Sequence, residues 1–144
     1  MKKEEIITLI KPIHKNFTDK VYKKIRKKIS SLKYSLIKRS GDYEVKCDIT
    51  TKELEVLLLK DYGKPCQYCK DTLTVYNMVC DHIIPISIGG PSTVDNLEFI
   101  CKRCNIRKGY LPKEDYKNLL KWLHKQPETL RSYVLRRLSK GGRY

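Results

Sequence analysis

Four of the chain's six cysteines form two C-x-x-C pairs, Cys66-Gln67-Tyr68-Cys69 and Cys101-Lys102-Arg103-Cys104. Each pair can bite one tetrahedral ion from a tight turn, with the intervening residues folded back between them. Together they predict a four-thiolate zinc site. Disulfides are the competing use of these residues, and a reducing compartment disfavours them. Four thiolates close the coordination sphere, so this zinc would hold the fold without activating water, and any chemistry must come from other side chains. Cys47 and Cys80 fall outside both pairs and read as buried small hydrophobes.

Between the pairs run Asp81-His82, Gly89-Gly90 and Asn96, and Asn105 follows the second pair directly. An imidazole with an ordinary pKa of ~6.5 can accept a proton near neutral pH. A neighbouring carboxylate offers a hard oxygen. Phosphodiester hydrolysis needs a base for water, a Lewis acid against the phosphate, and a means of holding both in line. Adjacent residues of a strand face opposite sides, so Asp81 and His82 can share a site only where the strand is bent or twisted. Taken singly, each residue has an ordinary use: Asp-His in a surface turn, the glycines in a flexible loop, Asn96 as a cap, Asn105 on an exposed helix face. Their joint order, framed by both cysteine pairs, is what points to a site.

Over residues 63 to 110 the order is C-x-x-C, D-H-I-x-P-x-x-x-G-G, N-L and C-x-x-C-N-x-x-K-G, which resembles the HNH endonuclease family. The resemblance implies an α+β fold, a small ββα-metal core stapled by a four-cysteine zinc site and flanked by basic α-helices. It implies that His82 is the general base, that Asp81 and Asn105 hold one divalent ion, and that Asn96 hydrogen-bonds backbone near the His82 strand and orients the imidazole. Oxygen ligands favour Mg²⁺ or Mn²⁺. Asn105 stands where other members carry His, and loss of that imidazole weakens transition-metal binding, so Mg²⁺ is expected. The substrate implied is DNA, cut to 5′-phosphate and 3′-hydroxyl ends. Arg103, Arg107 and Lys108, in or beside one helix, are expected to contact phosphates around the cut. Two other readings use the same residues: a non-catalytic zinc-ribbon module that binds nucleic acid, and a site-specific restriction endonuclease.

These residues need elements to position them. Val21, Ile25, Ile29, Leu32 and Leu36 form an amphipathic stripe that predicts a helix from Thr18 to about Arg39, ended by Ser40-Gly41-Asp42, with Lys23, Arg26, Lys27 and Lys38 opposite. Lys23 and Lys27 are candidate phosphate contacts. Thr50 and Glu53 predict a capping box, followed by a core run of Leu54 and Val56 to Leu59. The β-rich residues from Thr72 to Pro85 predict a hairpin turning near Asn77, and residues 85 to 91 a loop. Leu97, Phe99 and Ile100 alternate as a strand, and a helix is expected from Cys101 to Gly109. Two further helices carry Tyr116, Leu119, Leu120 and Leu123, then Leu130, Val134 and Leu138. Trp122 reads as core, and Lys140 to Tyr144 as a loose basic tail.

The 144 residues hold 31 Lys+Arg against 16 Asp+Glu, a net charge of +15. The surplus is +9 in residues 1 to 47 and +6 in residues 111 to 144, around a neutral middle. A surplus of that size favours a polyanion, first of all DNA. No run approaches the ~20 apolar residues of a spanning helix, and Met-Lys-Lys-Glu-Glu opens no signal peptide, so no membrane is involved and a cytoplasmic location is expected. The division implied is a basic helical arm (1–47), a nuclease core with its zinc (48–110) and a basic helical extension (111–144), together one compact domain. Such a chain would suit a phage or mobile element, as a homing endonuclease or a packaging-associated nickase. A second copy of the chain or a phage or mobile-element protein is a candidate partner.

Overall fold

A computed structural model describes residues 19–140. The expected helix start at Thr18 and the tail after Lys140 lie outside them. Helix α1 spans Asp19–Asp42 and buries Ile25, Ile29 and Leu36. It does not stop at Ser40. The Ser40 side chain is buried against Ser92, and Gly41 has open space beside it, so tertiary contact carries the helix through the residues that would otherwise punctuate it.

Helix α2, Thr51–Asp61, begins with the capping box: Glu53 N donates to Thr50 Oγ1 and Thr50 N donates to Glu53 Oε1. Such a cap contributes about 1 kcal/mol. Leu54 and Leu58 are fully buried against α1, whereas Val56 is 46% exposed because it falls on the outer face. Glu55 is buried instead, with Arg26 Nη1 at 3.2 Å from its Oε1.

Strand β1, Met78–His82, pairs antiparallel with β2, Leu97–Cys101, in the register Met78 to Cys101 and His82 to Leu97. The expected local hairpin is therefore replaced by a pairing across the 83–96 connection. Residues 74 to 77 form a turn, in which Asn77 Oδ1 accepts from Thr74 N and Asn77 Nδ2 donates to Thr72 O. The connection holds two short 3-10 turns, Ile86–Ile88 and Val94–Asn96. Helix α3, Lys102–Lys108, follows β2 directly and packs on both strands, which completes a ββα unit.

Helix α4, Lys113–His124, buries Tyr116 and Leu123, and helix α5, Glu128–Leu138, packs on α3 and α4 without a fully buried residue. Trp122 is 49% exposed and so is not core. One core runs from the α1 stripe through α2 to Met78, Phe99, Ile100 and the cysteines. The fold is α+β, and no helix of the described residues is long and apolar enough to cross a membrane.

Candidate active site

The four sulfurs of Cys66, Cys69, Cys101 and Cys104 lie within 4.8 Å of one another. The first pair is shaped by Lys70, whose φ of 68° turns the chain so that Cys66 O accepts from Lys70 N and Cys66 N donates to Asp71 O. The second pair straddles the junction of β2 and α3, where Cys101 caps the helix and its Sγ accepts from Cys104 N. The Cys104 thiol beside it brings Cys66 down to about 4, while the Cys66 thiolate pushes Cys104 up. Four sulfurs this close can all ionise only around a cation, so the donor set fits zinc. Cys47 and Cys80 are half-buried rather than buried, and burial raises the Cys80 thiol to about 12, which keeps it protonated.

A cavity of about 600 Å³ is lined by Asp81, His82, Asn105 and Lys108 together. β1 supplies the first two and α3 the others. Asp81 and His82 are adjacent yet line one space because they stand at the end of β1, where the chain leaves the sheet. Asn96 fixes that exit. Its Oδ1 accepts from Ile84 N at 2.9 Å, and its Nδ2 donates to Ile84 O and Pro91 O. Asn96 O accepts from Ile83 N as well. Gly90 allows the loop to close over this segment: a Cβ there would lie 1.8 Å from Ile84 O.

His82 is buried, and its Nε2 lies 2.9 Å from Ser92 Oγ, which leaves Nδ1 as the ring atom to meet a reactant. Burial, with Arg39 and Lys108 adding, pushes its pKa down to about 4, so the ring is neutral at neutral pH. Burial pushes the Asp81 carboxyl the other way, up, and Lys108 opposes the shift.

Asp81 Oδ2 is sealed from solvent, with the Lys108 ammonium 2.9 Å away in a buried ion pair. A carboxylate and the Asn105 amide lining one cavity are oxygen donors that fit a hard divalent cation such as Mg²⁺.

The sequence-predicted phosphate contacts scatter. Lys108 is not a surface cation: its side chain is fully buried, and Nζ also donates to His82 O. Arg103 sits by the cysteine cluster, 2.9 Å from Asp71 Oδ2, and Arg107 Nε donates to Ser139 Oγ beyond α5. Lys23 and Lys27 line another groove with Lys20 and Lys24. Besides Lys108, the cations that line the cavity are Arg39 of α1, and Arg137 and Lys140 at the end of α5. Sequence patterning missed them because nothing local marks one arginine of a basic helix as turned toward a site.

Residues 66–111 match a family model described as HNH endonuclease. Over 48 residues the chain is 42% identical to the CRISPR-associated endonuclease Cas9 of Corynebacterium diphtheriae, a stretch that is 33% of this chain and 4% of that protein. The chain thus spans a small fraction of the relative it matches.

Proposed function

We propose that residues 66–111, which match the HNH endonuclease model, form an HNH nuclease domain, and that the chain hydrolyses DNA phosphodiester bonds with His82 as general base and one divalent metal ion, leaving 5′-phosphate and 3′-hydroxyl ends. The observation that carries this reading is that one cavity is lined by Asp81, His82 and Asn105 together. Asp81 and Asn105 would hold Mg²⁺ or Mn²⁺. When bound, the ion polarises the phosphate and neutralises charge on the departing oxygen.

The chain's own residues do the rest. His82 accepts the water proton at Nδ1, since Nε2 is engaged by Ser92. Asn96 keeps the backbone after His82 in place, so the imidazole does not drift from the scissile bond. Lys108, tied to both Asp81 and the His82 carbonyl, locks α3 to β1 and thereby keeps Asn105 in the cavity that Asp81 lines. Arg39, Arg137 and Lys140 line the cavity from either flank and would grip phosphates, an affinity that falls with salt and reads little sequence. One site per chain cuts one strand at a time, so a lone chain would nick DNA, and a double-strand cut would need a second copy.

The test is supercoiled plasmid incubated with zinc-loaded protein and Mg²⁺, beside His82→Ala. Wild type should convert the plasmid to open circles and the variant should not. Binding without nicking would favour a zinc-ribbon binding module instead, and equal nicking by the variant would remove His82 from the mechanism.

A further inference from the structure

Two serines, Ser92 in the loop before Asn96 and Ser40 of α1, are joined in a chain of contacts to His82. His82 Nε2 lies 2.9 Å from Ser92 Oγ, which in turn lies 2.7 Å from Ser40 Oγ. Both serines are sealed from solvent, at 0% and 1% exposure. The Ser92 backbone is held in place, its N donating to Lys46 O and its O accepting from Asp48 N. Ser40 belongs to α1, in the stretch where the helix runs on past its expected end. A buried chain of three polar groups is retained only where each is hydrogen-bonded, and here each group's partner is the next.

We propose that Ser92, backed by Ser40, is a positioning residue for the general base, its hydroxyl accepting from His82 Nε2–H so that Nδ1 stays unprotonated toward the cavity. The inference rests on the nuclease reading above. A neutral imidazole has one N–H and one lone pair, so a base acting at Nδ1 must carry its proton on Nε2. Ser92 then receives that N–H and passes its own hydrogen to Ser40. When Nδ1 takes the water proton, the Nε2–H bond persists and becomes charge-assisted, so no hydroxyl has to turn during the step. With the opposite tautomer, Nε2 could take a proton only from Ser92, and water in the cavity would meet a donor. The relay also couples α1 to the reaction, because Ser40 follows Arg39, which lines the same cavity.

The experiment compares zinc-loaded wild type, Ser92→Ala, Ser92→Thr and Ser40→Ala by two readouts. Plasmid nicking with Mg²⁺ over a range of DNA concentrations should show kcat down about 10-fold in Ser92→Ala with KM unchanged, and recovered in Ser92→Thr. Ser40→Ala should fall between. Long-range ¹H–¹⁵N spectra of His82 should show the Nε2–H tautomer in wild type and a mixture in Ser92→Ala. If Ser92→Ala does not fold, Ser40→Ala and Ser92→Thr carry both readouts. Unchanged kcat in the alanine variants, or an Nδ1–H tautomer in wild type, overturns the relay while leaving the nuclease reading intact. A wild type that shows the Nε2–H tautomer but never nicks overturns the nuclease reading, and with it the relay's part in catalysis.

Discussion

Lys108 Nζ lies 2.9 Å from Asp81 Oδ2, and neither side chain is more than 9% exposed. The pair joins α3 to β1 across the cavity floor, at the cost of desolvating two charges. Breaking such a pair from one side leaves an uncompensated buried charge, a loss of about 3–5 kcal/mol, whereas removing both sides is far milder.

Lys108→Met alone and Asp81→Asn alone should therefore each destabilise the protein, and the double variant should recover much of the loss. Urea unfolding of the zinc-loaded proteins at pH 7 measures this as a coupling of at least about 2 kcal/mol. Single effects that simply add would show that the two groups do not depend on each other.

Gly90→Ala should be the most damaging small substitution in the loop. Its methyl would meet Ile84 O at 1.8 Å and Ile84 C at 2.6 Å, backbone atoms already fixed by Asn96. Relief requires moving the segment just after His82, so a loss of about 2–3 kcal/mol and of nicking are expected together. Gly41→Ala is the control. It lies in α1 with nothing within 4 Å, and should stabilise by up to about 0.5–1 kcal/mol. Thermal unfolding of the two variants decides, and equal midpoints would refute the clash.

The contrast between these glycines shows what patterning can read. Local chemistry was legible: the cysteine pairs, the Thr50 box, the α1 stripe and the Asp81-His82 dipeptide each declare themselves within a few residues. Misreadings arose where a distant partner decides. The β-branched residues before Pro85 suit a hairpin, yet β1 takes its partner from residues 97 to 101, and Asn77 satisfies the intervening backbone as a turn. Ser40-Gly41 reads as a stop until Ser92 buries the serine. Lys108 reads as a phosphate contact until α3 is laid on β1 beside Asp81.

Zinc removal should unfold the protein rather than merely silence it. Structural zinc contributes about 10–16 kcal/mol in small domains, as much as the whole stability of a typical fold, ~5–15 kcal/mol. Here its ligands sit in the main core. A zinc-selective chelator should abolish the cooperative transition seen by circular dichroism, and Mg²⁺ alone should not restore nicking. Cooperative unfolding that survives chelation would make the zinc dispensable.

Asp61 gives a pH prediction away from both sites. It ends α2, half-buried, and burial raises its carboxyl above the ordinary 3.8, with Glu98 adding and Lys60, Lys64 and Lys113 opposing. A raised folded-state pKa means that the folded chain binds the proton more tightly, so the ionised group destabilises at neutral pH. That penalty is full above the folded-state pKa and disappears as pH falls toward 3.8. Asp61→Asn should thus be more stable than wild type at pH 7, by less than about 1 kcal/mol because solvent screens the group. The advantage should shrink on acidification, in urea titrations of both proteins at each pH. An advantage that grows instead would reverse the sign.

Metal choice tests the third motif position. Asn105 offers an amide where an imidazole would favour transition metals, so nicking by wild type should be supported better by Mg²⁺ than by Ni²⁺. Asn105→His puts a borderline nitrogen donor in the cavity that Asp81 and His82 line. The substitution should shift the ratio of rates toward Ni²⁺, by about 10-fold if second and third ligands act as they do elsewhere. The measurement is plasmid nicking by metal-stripped, zinc-retaining protein with each ion added in turn. Wild type driven far harder by Ni²⁺ than by Mg²⁺ would mean that Asn105 does not set the preference.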